Sequence, residues 1–129
     1  MRTVRWILLA VLIGAVGLLA GCFGPLSLTE AHDGDLVDLK VGDEVIVRLT
    51  GNPTTGYAWL VADSLKETVL ESLGDGVFVP GTDAPAGGGG HFEFRFRAVA
   101  IGTTPLELSY RRTWEDEALE TFAVAVIVR

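Results

Sequence analysis

The chain has 129 residues, of which 49% are hydrophobic and 9% aromatic, so it has the size of one domain with enough apolar material for one core. This composition excludes a disordered chain. The formal net charge is -7, and removal of an N-terminal leader carrying Arg2 and Arg5 leaves eight basic against 17 acidic residues. Phosphate binding needs a clustered positive surface, so we expect no nucleic-acid partner.

The N-terminus has the features of an export signal. Arg2 and Arg5 precede an uninterrupted apolar run of 15 residues, from Trp6 to Ala20, which is shorter than the roughly 20 residues that a membrane-spanning helix needs. A basic start followed by a short apolar run predicts a secretory signal peptide. The run leads into Leu19-Ala20-Gly21-Cys22, which resembles a bacterial lipobox.

Cys22 is the only cysteine in the sequence, so it has no partner for a disulfide within the chain. We therefore predict that Cys22 is lipidated; the alternative is an ordinary signal peptide followed by a chance cysteine. The predicted layout is a lipoprotein signal peptide at residues 1–21, the lipidated cysteine and a tether at residues 22–35, and a folded domain at residues 36–129. Such a protein is exported and membrane-anchored in the cell envelope.

The first half of the folded domain predicts β-strands. Apolar and polar residues alternate over residues 37–41, and Val45, Val47 and Leu49 again share one face. With a turn at Val41-Gly42-Asp43 between them, these two segments predict a hairpin.

The remaining segments complete an all-β pattern. Residues 68–73 predict a short strand, with a helical turn as the alternative. The other strands alternate clearly, with one face of each apolar. Their inward side chains are Tyr57, Trp59 and Val61; Phe92, Phe94 and Phe96; Leu106, Leu108 and Tyr110; and Phe122, Val124, Val126 and Val128. About seven short strands at this spacing predict an immunoglobulin-like β-sandwich.

The sequence offers little for catalysis. His32 and His91 have no evident catalytic partner, and no His/Cys cluster has metal-ligand spacing. The acidic run at residues 114–120 is explained better as a solvated surface than as an acid/base pair. We expect neither an enzyme nor a cofactor.

Three irregular stretches interrupt the strand pattern at residues 51–57, 81–90 and 110–116. In an immunoglobulin-like sandwich, loops in these positions emerge at the same end. Loops carried on a rigid scaffold commonly form a recognition surface.

Within these stretches the sequence resembles the chagasin family of cysteine protease inhibitors. Asn52, Pro53, Thr54, Thr55, Gly56 and Tyr57 match the family's NPTTGY or NPTTGF loop, and Gly87, Gly88, Gly89 and Gly90 match its GxGG loop. YRRTW, residues 110–114, matches its YxRPW loop but has Thr113 where proline is usual. Order and spacing agree across residues 37–128.

The resemblance implies an inhibitor of papain-like cysteine proteases whose three loops enter the active-site cleft as a wedge. Thr54, Thr55 and Gly56 would lie over the catalytic cysteine and histidine of the protease, while Arg112 and Trp114 would contact it from the third loop. Because the loops contribute no reacting group, inhibition would be reversible and competitive. We expect a monomer.

Plainer interpretations of the same residues remain open at the level of sequence. A membrane-anchored adhesion or envelope-assembly module would use the same fold and lipid anchor. The four glycines are also typical of a flexible linker, Trp114 could cap the core, and Arg112 could simply brace its own loop. Tyr57 fits the core better than a contact surface.

Overall fold

A computed structural model describes residues 24–83 and 87–129. The predicted signal peptide and Cys22 lie outside the described residues, as do three residues, 84–86, of the glycine-containing stretch. Within the described ranges, no helix is both long and apolar enough to cross a membrane.

Nine strands form two facing sheets in the described part of the chain. The strands have these bounds: β1 (Leu26–Leu28), β2 (Leu36–Leu39), β3 (Glu44–Gly51), β4 (Tyr57–Val61), β5 (Leu70–Ser72), β6 (Val77–Pro80), β7 (Gly90–Ala98), β8 (Gly102–Arg112) and β9 (Glu120–Val128). One sheet has the order β1-β3-β7-β5, with β6 also paired to β7. The other sheet has the order β2-β9-β8-β4. Two single 3-10 turns, Glu30–His32 and Pro53–Thr55, are the helical elements described. The predicted all-β sandwich is confirmed.

The core lies between the sheets and follows the predicted alternation. Phe92, Phe94 and Phe96 of β7 are buried, and they face the buried alternate residues of β9 and β8. Successive side chains of a strand point to opposite faces, so one apolar set per strand fills the interior.

The predicted hairpin at residues 37–49 is wrong. β2 pairs in parallel with β9, while β3 pairs with β7 in the opposite sheet. The turn at residues 40–43 therefore crosses from one sheet to the other. Both segments alternate, but alternation reports which face is buried and not which strand is the neighbour.

The number of strands and the start of the folded part also differ from the predictions. β6 occupies residues that carry no clean alternation, and β1 lies within the segment predicted to be a tether. β1 pairs in parallel with β3, and Leu28 is buried in the core. The folded part thus begins before residue 36. β5 confirms a strand within residues 68–73, although it is shorter than predicted.

The sheet registers place the three unusual stretches at one end of the sandwich. Gly51, the last residue of β3, pairs with Gly90, the first residue of β7. Tyr57, which begins β4, pairs with Arg112, which ends β8. Residues 52–57, 87–90 and 112–114 therefore share one end, which we call the loop edge.

The opposite end of the sandwich is formed by other turns. Glu44 pairs with Arg97 and Gly102 pairs with Val128 there. The turns at residues 40–43 and 99–101 close this end, together with Arg129. We call it the base.

Candidate functional site: the loop edge

The first loop is a single 3-10 turn stabilised by its own side chains. Asn52 precedes the turn in an extended conformation, and its Oδ1 accepts hydrogen bonds from the Thr54 N–H at 3.1 Å and the Thr54 hydroxyl at 2.7 Å. The Thr55 hydroxyl donates to the Asn52 carbonyl oxygen at 2.8 Å. Pro53 fixes the first residue of the turn, and asparagine is among the preferred residues at such a cap. These local bonds preorganise the turn.

Gly56 ends this turn in the left-handed region, with φ +82°. Its N–H donates to the Pro53 carbonyl oxygen at 3.1 Å. Residues with a Cβ resist this conformation, so the backbone favours glycine here.

The first and second loops are joined by the Asn52 side chain. Its Nδ2 donates to the Gly87 carbonyl oxygen at 3.2 Å, and the Thr54 hydroxyl lies 3.5 Å from the same oxygen. Gly87 itself has φ +81°. One asparagine thus caps its own turn and connects it to the glycine-containing loop.

The four glycines do not behave alike. Gly90, predicted to lie in a loop, is the first residue of β7 and pairs with both Gly51 and Pro80. A Cβ at Gly90 would collide with the Val79 carbonyl oxygen. Gly90 therefore allows β6 and β7 to approach, whereas Gly87 takes part in the contact between loops.

Tyr110 supports the first loop from below. Its hydroxyl accepts a hydrogen bond from the Asn52 N–H at 2.9 Å, and its ring lies 5.3 Å from the Trp59 ring and 5.4 Å from the Tyr57 ring, centroid to centroid. Our sequence analysis placed Tyr110 in the core and in the third motif, but not among the site residues. Tyr110 is a positioning residue for the loop edge. Its place in the YRRTW motif was the feature of the sequence that could have indicated this role.

The third loop is connected to the first through Arg112. The Arg112 Nε donates to the Thr55 carbonyl oxygen at 3.3 Å, and the guanidinium carbon lies 4.6 Å above the centre of the Tyr57 ring. Its Nη1 is 3.5 Å from a Glu115 carboxylate oxygen. Arg112 is the last residue of β8, and it braces the first loop as well as its own, whereas the plainer interpretation of this residue had it brace its own loop alone.

Trp114 is displayed, not buried. Its side chain is 72% exposed, which excludes a role as a cap on the core. The ring lies close to the first loop, since a Cβ on Gly56 would be 3.1 Å from the Trp114 Cη2. The turn that carries Trp114 is held by the Arg111 Nη1, which donates to the Glu115 carbonyl oxygen at 2.9 Å. Sequence analysis did not identify this role of Arg111.

A carboxylate of the N-terminal segment holds the end of β3 from which the first loop begins. Glu30 accepts a hydrogen bond from the Thr50 N–H, two residues before Asn52. Partial burial by itself raises the pKa of Glu30, but hydrogen bonds from the backbone and side chain of Thr50 outweigh it, so the pKa lies below its ordinary value. The Trp59 Nε1 donates to the Thr50 carbonyl oxygen at 3.0 Å. Both backbone groups of Thr50 are thereby fixed.

A small sandwich that displays three interconnected loops at one end is a recognition module. The chain belongs to the chagasin family of peptidase inhibitors, since the model described as "Chagasin family peptidase inhibitor I42" matches residues 38–126. The protein is accordingly an inhibitor and not an enzyme.

Individual relatives agree with this assignment. Chagasin of Trypanosoma cruzi is 35% identical over 89 residues, which cover 67% of this chain and 81% of chagasin. Amoebiasin-1 of Entamoeba histolytica is 32% identical over 109 residues, which cover 81% of this chain and 100% of amoebiasin-1. The crystal structure of a cysteine protease inhibitor from Entamoeba histolytica has the same fold, with a TM-score of 0.70 at 24% identity over 82% of this chain and 96% of that one.

Proposed function

We propose that this protein inhibits papain-like cysteine proteases reversibly and competitively by placing the loop edge in the active-site cleft. The observation that carries the proposal is the set of contacts that joins the three loops through Asn52 and Arg112. An edge held in one conformation before binding loses little conformational entropy when it is bound. Family membership favours this function over an adhesion or envelope-assembly module.

Each loop has a distinct part in the proposed complex. Thr54 and Thr55 are exposed at the tip, and Gly56 has no side chain, so the first loop can approach a cleft closely. The hydrogen bonds of Asn52 hold this turn closed, which disfavours the extended conformation that a protease substrate adopts. Trp114 supplies exposed aromatic area beside it, and tryptophan is enriched among residues that dominate binding energy.

Titration of papain tests this function. We expect the chain from residue 22 onward, made with Cys22→Ser, to inhibit hydrolysis of a peptide substrate competitively and to keep its mass after incubation. Trp114→Ala should weaken inhibition by about 2 kcal/mol, or about thirtyfold, while Leu119→Ala, which removes another exposed apolar side chain near this end, should change it little.

Two results would contradict the proposed inhibition. One is undiminished hydrolysis with the protein at micromolar concentration. The other is rapid cleavage of the inhibitor between Thr54 and Tyr57, which would make the loop a substrate. A Trp114→Ala variant that loses affinity only as far as it loses thermal stability would assign Trp114 to the fold and not to the contact surface.

We further propose that Cys22 carries a lipid that holds the inhibitor at a membrane of the cell envelope. The lipobox-like residues before Cys22 and the absence of any other cysteine support this proposal. Each buried methylene contributes about 0.8 kcal/mol to membrane affinity, so two or three acyl chains retain a protein stably. Detergent partitioning of the parent and of Cys22→Ser tests it, and equal partitioning of both into the aqueous phase would contradict it.

A further inference from the structure

We propose that the base of the sandwich lies against the membrane surface, so that the loop edge points away from the bilayer. This inference rests on the proposed lipid anchor and adds the orientation of the inhibitor on it. Three observations carry it: where the N-terminal segment enters the fold, which apolar side chains surround that point, and how charge is distributed between the two ends.

The chain enters the fold at the base. β1 runs parallel to β3, and its first residue, Leu26, pairs with Val45, one residue after the start of β3. Gly24 and Pro25 line a surface hollow together with Gly42 and Asp43 of the turn that closes the base. β3 then runs for eight residues to the loop edge, a distance of about 25 Å.

The connection to Cys22 is short. Three residues separate Cys22 from Leu26, and four peptide units span at most about 14 Å when fully extended. This reach is less than the length of β3. An acyl group on Cys22 therefore holds the base within about 14 Å of the bilayer surface, whereas the loop edge lies the length of β3 farther from the point of attachment.

The base also exposes apolar side chains. Nine large hydrophobic residues are exposed in the part of the chain that the structure describes, and four of them are at this end: Leu26, Val41, Val99 and Ile101. Ile101 is 76% exposed, the highest value of the nine. The turns that carry Val41, Val99 and Ile101 adjoin, since the Gly42 N–H donates to the Ala98 carbonyl oxygen at 2.8 Å. Exposed apolar groups next to a lipid anchor gain free energy by entering the membrane interface.

Charge favours the same orientation. At the base, Arg97 pairs with Glu44 at 2.9 Å and Arg129 pairs with Asp38 at 3.0 Å, so these acidic groups are neutralised. The loop edge is followed by an acidic run at residues 115–120, which contains four carboxylates. One of these four carboxylates, Glu115, pairs with Arg112 at 3.5 Å, and at the base Asp43 accepts a hydrogen bond from the Lys40 N–H at 2.8 Å. The anionic headgroups of a bilayer therefore repel the acidic run more strongly than the base.

Two labelled variants of the full-length lipidated protein test the orientation. Ile101→Cys places a thiol at the base, and Leu119→Cys places one near the loop edge, where the native side chain is 63% exposed. Each thiol is coupled to an environment-sensitive fluorophore, and the protein is reconstituted in vesicles of phosphatidylcholine and phosphatidylglycerol. We expect the label at position 101 to brighten severalfold and to resist quenching by iodide, while the label at position 119 stays quenchable.

The controls separate the three proposals. The parent chain should take up no maleimide, because lipidation consumes the Cys22 thiol; labelling of the parent, or failure to float with vesicles, overturns the lipid anchor and the orientation together. Flotation with equally quenchable labels overturns the orientation alone. Protection of the label at position 101 before vesicles are added assigns the base to a second copy of the chain and overturns the membrane contact. Absence of papain inhibition by the soluble Cys22→Ser chain counts against the inhibitory function only. Inhibition that this chain shows but the vesicle-bound protein lacks overturns the orientation, because the loop edge would then be covered.

Discussion

Gly56 and Trp114 meet at the centre of the loop edge, and their contact links the backbone of one loop to the side chain of another. Gly56 has φ +82°, and its missing Cβ leaves room for the Trp114 ring. A side chain at position 56 therefore affects both the turn and the display of Trp114. The two effects can be separated by making the same substitution at another glycine that has a positive φ but no neighbouring side chain.

Gly56→Ala should destabilise the protein by about 1 kcal/mol, because alanine resists the left-handed region. It should also weaken papain binding by about tenfold, since the new Cβ would be 3.1 Å from the Trp114 Cη2. Gly42→Ala is the matched control, with φ +97° at the base and open space around the site of its Cβ. Melting temperatures and inhibition constants measure both. Equal affinity loss in the two variants would refute the role of the Gly56–Trp114 contact.

Asn52 has two functions that different substitutions distinguish. Asn52→Ala removes the cap on the first turn and the bond to Gly87, so it should cost about 1 kcal/mol of stability and weaken inhibition. Asn52→Asp keeps the acceptor for the Thr54 N–H and hydroxyl but cannot donate to the Gly87 carbonyl oxygen. It should retain the parent's melting temperature and still bind papain several times more weakly. Undiminished affinity in Asn52→Asp would show that the bond between loops is not needed.

At the scale of elements, β1 shows how a short strand can escape sequence analysis. Three residues, Leu26 to Leu28, are too few for alternation to be recognised, and they follow directly on a predicted signal peptide and lipidated cysteine. Their strand conformation depends on pairing with β3, which is distant in sequence. The strand nonetheless contributes a buried leucine to the core.

Substitution of that leucine tests whether β1 belongs to the folded unit. Leu28 is 2% exposed, so Leu28→Ala should lower the free energy of unfolding by about 2–4 kcal/mol through lost burial and a cavity. Leu26→Ala, in the same strand but 42% exposed, should cost well under about 1 kcal/mol. Urea denaturation measures both. A parent-like midpoint for Leu28→Ala would restore the original prediction of a tether.

For the molecule as a whole, the sequence predicted which face of each strand is buried better than it predicted which strands pair. Alternation at Phe92, Phe94 and Phe96 identified the buried face of β7 correctly because burial acts residue by residue. It misassigned β2 and β3 to one hairpin, because pairing is decided by contacts between distant segments. The predicted sandwich topology indicated which loops share an end, but not the bonds that join them, because these bonds depend on side-chain positions such as Asn52 beside Gly87.

Acid should destabilise the whole fold through a carboxylate on the outer face of β7. Glu93 accepts hydrogen bonds from the Arg95 Nη2 at 3.0 Å and the Arg48 Nε at 3.4 Å, and so connects β7 to β3. Burial raises the pKa of Glu93, but these hydrogen bonds outweigh it and set the pKa below its ordinary value of 4.5. A carboxyl with a lowered pKa in the folded state stabilises the fold fully above the ordinary value and loses that contribution as pH falls through the folded pKa.

Glu93→Gln should therefore cost about 0.5–1 kcal/mol of unfolding free energy at neutral pH, and the difference from the parent should shrink as pH falls below about 4.5. Glu107→Gln, on the exposed face of β8 in the other sheet, controls for the change in net charge. Urea unfolding followed by tryptophan fluorescence across this pH range measures the three proteins. Only the ionised carboxylate is held by Arg48 and Arg95. If the parent and Glu93→Gln differ in free energy of unfolding by the same amount at neutral and at acid pH, the charge of Glu93 is not what stabilises the sheet.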